Sequence, residues 1–299
     1  MSSLNKPTNC PVCTSYAAEM VFDCKDHSIS KETFLIWECK SCSHRFTYPI
    51  PAENEIGRYY EAEHYISHSD TSKGVIAKLY KAARKFTLSE KRRFVQGQTK
   101  LASGMLLDVG TGTGAFLNEM DISGWHTTGL EPDFDARQKA MTLYKLPVHE
   151  PTQLFELSQH SFDAITLWHV LEHVYDLSGY LRQFGKILKP SGLLFIAVPN
   201  YTSYDAKHYQ NNWAAYDVPR HLHHFSPESM ETLAHQFGFT IANRKAMWLD
   251  AFYIALLSEQ YLHGRNRFIP AFLHGTVSVF NAIFNRARCS SVIYVLKKV

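Results

Sequence analysis

Met105-Leu106-Leu107-Asp108-Val109-Gly110-Thr111-Gly112-Thr113-Gly114-Ala115-Phe116-Leu117 is the stretch that decides the fold. Met105 to Val109 reads as a short buried strand. The three alternating glycines read as a tight turn, and a helix opens at Ala115. Glycines let the backbone turn sharply and let a ligand approach where any Cβ would collide. Glu131 closes the next strand, 23 residues after Asp108. A carboxylate there can accept both ribose hydroxyls of a bound nucleoside. By spacing alone Gly110, Gly112 and Ala115 also fit the dinucleotide pattern G-x-G-x-x-A, so this loop leaves a nicotinamide oxidoreductase open.

Outward from this loop the rhythm is strand–helix alternation. Strands are expected at 105–109, 125–130, 147–149, 162–167, 193–198, 240–248 and 291–297. Helices are expected at about 115–120, 133–144, 177–188 and 225–237. Such alternation predicts an α/β fold, a mainly parallel sheet with helices on both faces.

The 299 residues are 45% hydrophobic, which excludes wholesale disorder, and the net charge of +3 predicts no particular partner. The charge is unevenly spread. Lys73 to Lys100 holds nine basic residues against the single acid Glu90, a local +8 that leaves −5 for the remainder. Val75, Leu79, Ala82 and Phe86 recur at helical spacing through this block and predict a packed stripe, with Lys78, Lys81, Arg84 and Lys85 on a solvated face or an anion dock. Met1 to Lys6 lacks the apolar run of a secretory signal. Phe268 to Asn285 is interrupted by Pro270, His274, Gly275 and Asn281, too polar for a membrane span. A cytoplasmic protein is the expectation.

Cys10-x-x-Cys13 and Cys39-x-x-Cys42 have the spacing of a four-thiolate structural zinc site, each knuckle giving two sulfurs from a tight turn. Thr33 to Glu38 reads as a strand entering the second knuckle, as in a zinc ribbon. His27 and His44 are surplus to the ligand count and are expected at the surface. The expected domains are a zinc-ribbon-like segment at 1–48, a linker and basic amphipathic helix at 49–103, and a cofactor-binding domain at 104–299 with a helical insertion at 250–288.

Several segments carry a family resemblance. Asp108-Val-Gly-Thr-Gly-Thr-Gly, Gly129-Leu-Glu131-Pro132-Asp, Phe162-Asp163-Ala-Ile, Trp168-His169-Val-Leu-Glu172-His173-Val, Leu188-Lys-Pro-Ser-Gly192-Leu and His221-Leu-His-His224-Phe-Ser-Pro resemble the class I S-adenosylmethionine-dependent methyltransferases of the small-molecule branch. The resemblance covers about residues 104–248. It implies a Rossmann-like seven-stranded sheet with one antiparallel strand and S-adenosylmethionine as donor. Gly110, Thr111, Gly112 and Gly114 would border the methionine end of the donor. Asp108 would orient the loop or reach the donor's amino group, Glu131 with Pro132 beside it would hold the ribose, and His169 would lie by the sulfonium. The family's adenine-contacting acid is matched only loosely by His149-Glu150-Pro151-Thr152.

At the acceptor, histidines are the natural bases, since they titrate near neutrality. His169, His173, Asp217, His221 and His224 are the candidate catalytic residues. Some quinone-pathway relatives carry Glu-x-x-Glu-His at this point, able to hold a divalent ion; here His169, Glu172 and His173 stand in those places. The insertion's Phe268, Phe272, Phe280 and Phe284 at helical spacing suggest a lid or dimer face, or else an apolar acceptor pocket or peripheral membrane contact. The leading expectation is methyl transfer to a small-molecule, sugar or lipid-linked acceptor. The alternatives are an RNA base methyltransferase using ribbon and basic helix, or a non-catalytic donor-binding module. The ribbon is not notably basic and the branch motifs favour small acceptors, which argues against nucleic acid.

Overall fold

The computed structural model describes residues 6–60 and 75–299, with the backbone alone for 75–83. The segment His64-Tyr65 and the side chains of Val75, Lys78, Leu79, Lys81 and Ala82 therefore lie outside the described residues.

Eleven strands and eight helices of α type are present among the described residues. The N-terminal part forms β1 (Ala18–Lys25), β2 (Thr33–Cys39) and β3 (Arg45–Thr47), and a long helix α1 (Val75–Thr99) follows. Alternation then gives β4 (Met105–Val109), α2 (Ala115–Asp121), β5 (His126–Leu130), α3 (Phe134–Tyr144), β6 (Val148–His149), β7 (Phe162–Trp168), α4 (Leu177–Ile187) and β8 (Leu188–Pro199). The C-terminal part adds α5 (Tyr204–Tyr209), β9 (His223–His224), α6 (Pro227–Gln236), β10 (Phe239–Ala246), α7 (Asp250–His263), α8 (Phe268–Phe284) and β11 (Ser291–Lys298).

Seven strands form one sheet in the order β10-β11-β8-β7-β4-β5-β6, mostly parallel with one antiparallel strand, as the resemblance implies. β4 lies inside it, paired in parallel with β5 (Asp108 opposite Gly129) and with β7 (Asp108 opposite Thr166). Its Leu106 and Leu107 are fully buried, as are Ala164 and Ile165 of β7. Each large apolar side chain so buried contributes ~1.5–3 kcal/mol before chain entropy is counted. The central strand is thus fixed on both edges, and the loop leaving it inherits that rigidity.

A second sheet runs β1-β2-β3-β9, antiparallel throughout. Its fourth strand comes from 180 residues downstream, with Arg45 opposite His224 and Phe46 opposite His223. Phe34 and Ile36 of β2 share an aromatic core with Tyr59, Trp213, Tyr216 and Ile254. The cysteine segment is therefore built into later chain.

By contacts the chain divides into two compact units. One takes in the ribbon strands with His169–Ser178 and Ala197–Val295; the other takes in the chain from α1 to Trp168 with Gly179–Ile196 and Leu296–Val299.

Two expectations change. Phe86 is 59% exposed, so that end of the α1 stripe does not pack. α1 is held through its later turns instead: Val95 is fully buried, Phe94 meets Phe195 edge-on at 6.0 Å, and Arg92 donates to Glu119 at 2.8 Å. His44 is not a surface residue: it is fully buried, its Nε2 3.2 Å from His223 Nδ1. Strand β9 covers it, a pairing too distant in sequence to be read locally.

Candidate active site

In the second unit the glycine loop hangs from the end of β4. Gly110 and Thr111 donate backbone N–H groups to Leu130 O at 2.7 and 3.0 Å, tying the loop to the end of β5. Gly110, Gly112 and Gly114 all have positive φ (70°, 54° and 80°). L-residues resist that region, which is why this turn is glycine-built. A Cβ on Gly114 would fall 2.8 Å from that of Ala140, so this glycine lets α3 approach. A Cβ on Gly112 would meet nothing within 4 Å, so the loop is a cradle with room before it.

Asp108 is buried beneath the loop. Its Oδ2 accepts from Thr111 Oγ1 at 2.9 Å and its Oδ1 from Thr166 Oγ1 at 2.6 Å. Burial, only partly offset by these bonds, pushes its carboxyl up to about 6. Glu131 is 8% exposed and braces the loop from the other side. Its Oε2 accepts from Gly112 N at 2.7 Å and its Oε1 from Asp133 N at 3.0 Å. A carboxylate offers about four lone-pair positions, more than these two bonds use. Arg137 clamps this corner, donating to Glu131 O and Pro132 O at 2.7 Å and to Glu150 Oε1 at 2.9 Å. Sequence reading missed Arg137 and Thr166; nothing local distinguishes them from ordinary helix and strand residues.

In the first unit His169 follows directly on β7 with φ +60°, a conformation a histidine seldom adopts. Its Nε2 is 3.0 Å from Asp250 Oδ2 and its Nδ1 3.3 Å from Glu172 Oε1. Burial opposes charge on the ring, but the two carboxylates outweigh it and raise the imidazole to about 10. His169 is therefore an imidazolium at neutral pH. Asp250, at the start of α7, is the partner that sequence reading did not find.

Glu172 is fully buried, and its Oε2 has no hydrogen-bond partner among the described residues. Burial alone would raise this carboxyl, yet the bonded His169 holds it below its usual value. A carboxylate oxygen of Glu172 and one ring nitrogen each of His173 and His221 lie within 4.8 Å of one another. His173 Nδ1 bonds Arg220 O at 2.9 Å and His221 Nδ1 bonds Ala215 O at 2.9 Å. Carbonyls only accept, so each Nδ1 carries a proton. Burial, then the neighbouring His221, lowers His173 to about 4, so it is neutral. Among the described residues, Glu172, His173 and His221 are thus one set that could hold a metal ion. His169, which stands in the first place of the Glu-x-x-Glu-His pattern, spends both nitrogens on carboxylates.

The remaining candidates sit in structural networks. Asp217 accepts from Arg220 through both carboxylate oxygens, at 2.6 and 2.9 Å. Arg220 is 1% exposed and also donates to Asp26 at 3.0 Å and Tyr59 O at 2.8 Å. His224 is buried, its Nε2 3.1 Å from Thr47 Oγ1, and burial followed by the nearby His221 pushes its pKa well down.

The four cysteine sulfurs also lie within 4.8 Å of one another. Cys10 and Cys42 sulfurs are 3.6 Å apart, and Cys13 and Cys39 sulfurs 3.4 Å. A tetrahedron with ~2.3 Å zinc–sulfur bonds has edges of about 3.8 Å. Val12 N and Ser41 N each donate to a knuckle sulfur, Cys10 and Cys39, at 3.4 Å. All six cysteines are free. The cluster is compatible with zinc.

A family model described as "methyltransferase domain" matches residues 80–243, more than half of the chain. The chain belongs to that family. Among curated relatives, the human mitochondrial ubiquinone biosynthesis O-methyltransferase is 29% identical over 164 residues, covering 49% of this chain and 44% of that protein. The Neisseria meningitidis ubiquinone biosynthesis O-methyltransferase is 24% identical over 175 residues, covering 52% and 71%. This methyltransferase thus spans less than half the length of its human relative. Its fold is shared by a SAM-dependent methyltransferase from Archaeoglobus fulgidus (TM-score 0.51, 19% identity, covering 72% of this chain and 94% of that one). A geranyl diphosphate C-methyltransferase from Streptomyces coelicolor matches with TM-score 0.51 and 14% identity, covering 80% and 89%. The chain thus carries a methyltransferase domain with the fold of solved S-adenosylmethionine-dependent methyltransferases.

Proposed function

We propose that this methyltransferase methylates a hydroxyl oxygen of a small phenolic acceptor, and that Glu172, His173 and His221 take up the hydroxyl proton. The observation that carries this is the buried Oε2 of Glu172, without a hydrogen-bond partner among the described residues, on a carboxylate that lies beside the rings of His173 and His221. That carboxylate oxygen lacks a donor, and an acceptor hydroxyl supplies one. Displacement by oxygen requires that proton to leave, and a positioned base contributes typically ~10²–10⁴-fold. The relatives named as O-methyltransferases support the choice of oxygen. His169, protonated between Asp250 and Glu172, orients the Glu172 carboxylate and does not act as the base. A divalent cation on the same three atoms would serve the same end by acidifying the hydroxyl.

S-adenosylmethionine supplies the methyl group when bound. Glu131 would hold its ribose, Asp108 would fix Thr111, and Gly110, Gly112 and Gly114 would border its methionine end. Cys10, Cys13, Cys39 and Cys42 would hold a structural zinc, with no open position for substrate.

An aminophenol offers both atoms and tests the assignment. Mass spectrometry of the product is expected to show the methyl group on oxygen. Methylation confined to nitrogen would overturn the proposal.

A further inference from the structure

Helix α8 is built inside out. Its inner face carries Ala271, Gly275, Ser278 and Ala282, all buried, and lets α7 come close enough that a Cβ on Gly275 would fall 2.6 Å from Phe252. Its outer face carries the large apolar side chains: Phe268, Ile269, Phe272, Leu273, Phe280 and Phe284, all more than half exposed, with Phe284 at 77%. An ordinary surface helix does the reverse, turning its apolar stripe to the core. None of its 17 residues bears a formal charge. Two of its polar side chains are turned back on the helix: Thr276 Oγ1 donates to Phe272 O and Asn281 Nδ2 to Val277 O, each at 2.8 Å. That is how a helix presents itself to a medium without water. The charges stand at its two ends, with Arg265 before it and Arg286 and Arg288 after it, all exposed.

We propose that α8 lies on an anionic lipid surface, its phenylalanine face in the acyl boundary and the flanking arginines on headgroup phosphates. No helix among the described residues is long and apolar enough to cross a membrane, and α7 occupies the inner face of α8, so the geometry is a helix lying in the interface plane. Positive charge at both ends complements anionic headgroups; it has no matching acidic groups on the helix itself with which a second copy could pair. The proposal is independent of the acceptor assignment.

The test is co-sedimentation of the full chain with vesicles of phosphatidylcholine alone or with roughly one-third phosphatidylglycerol. Wild type is expected to pellet with the anionic vesicles, and added salt to weaken this. The F272E/F280E double variant should lose about a hundredfold in partitioning, since two aromatic side chains leave the acyl boundary. R286S/R288S should lose roughly thirtyfold. Both alter exposed residues, so calorimetric S-adenosylmethionine binding should stay unchanged. Wild type that ignores anionic vesicles, or F272E/F280E that pellets like wild type, would overturn the proposal. So would a wild-type dimer by ultracentrifugation that the double variant dissolves while vesicle binding is absent, which would assign the face to a second copy.

Discussion

Replacing Glu131 by glutamine keeps the side chain's shape and removes its charge. In the native protein both carboxylate oxygens accept backbone N–H groups, from Gly112 at 2.7 Å and Asp133 at 3.0 Å. A glutamine must point its NH₂ at one of those donors, so one brace is lost and the loop corner loosens. The ribose hydroxyls, which would bond a charged acceptor in the native site, would be left with a neutral one. Hydrogen bonds to a charged group are worth ~1.5–3 kcal/mol, against about 1 for neutral pairs. Two weakened ribose bonds therefore cost ~3 kcal/mol, about a hundredfold in donor affinity. Calorimetric titration of S-adenosylmethionine and S-adenosylhomocysteine reads this directly, with melting temperature as the fold control. The glutamine variant should melt within a few degrees of wild type and bind both ligands about a hundredfold more weakly. A folded variant whose Kd stays within about threefold of wild type would refute the role given to Glu131.

Arg220→Ala strands the buried carboxylates Asp26 and Asp217; breaking such a pair costs ~3–5 kcal/mol, so the melting temperature should fall by about 10 °C. Elemental analysis of purified protein should find about one zinc per chain, and Cys39→Ser should remove both the metal and part of the thermal stability. His223, lowered to about 4 by burial, and His224, pushed well down by burial, are neutral in the folded chain and titrate near 6.5 once unfolded. Their depressed values mean stability present above about pH 6.5 and lost as pH falls, so the melting temperature should drop between about pH 7 and pH 5. A flat profile there would show that these rings do not stay buried.

The Rossmann-like part of the fold is legible in sequence because its signals are local. The strand, the glycine turn and the acid at the next strand's end occupy one βαβ unit, and their periodicity and spacing survive without tertiary context. The paired cysteines were legible for the same reason. What resisted was long-range. His223 and His224 read as a loop after strand five, yet they pair with Arg45 and Phe46 as the ribbon's fourth strand. Asp250 reads as an ordinary helix start, yet it is the second carboxylate on His169. His221 joins Glu172 and His173 across almost fifty residues, so the local i, i+3, i+4 spacing pointed to His169 instead. The exposed Phe86 shows the converse: helical spacing of apolar residues marks a stripe but does not say what covers it.

The most direct test of the whole account separates donor binding from acceptor activation. Transfer of label from S-adenosyl-[methyl-¹⁴C]methionine to catechol is followed for wild type and Glu172→Gln, with donor affinity measured in parallel. The account predicts a labelled methyl ether with wild type, and with the variant a kcat lower by ~10²–10⁴-fold at unchanged donor Kd. Equal turnover by the two proteins would contradict it.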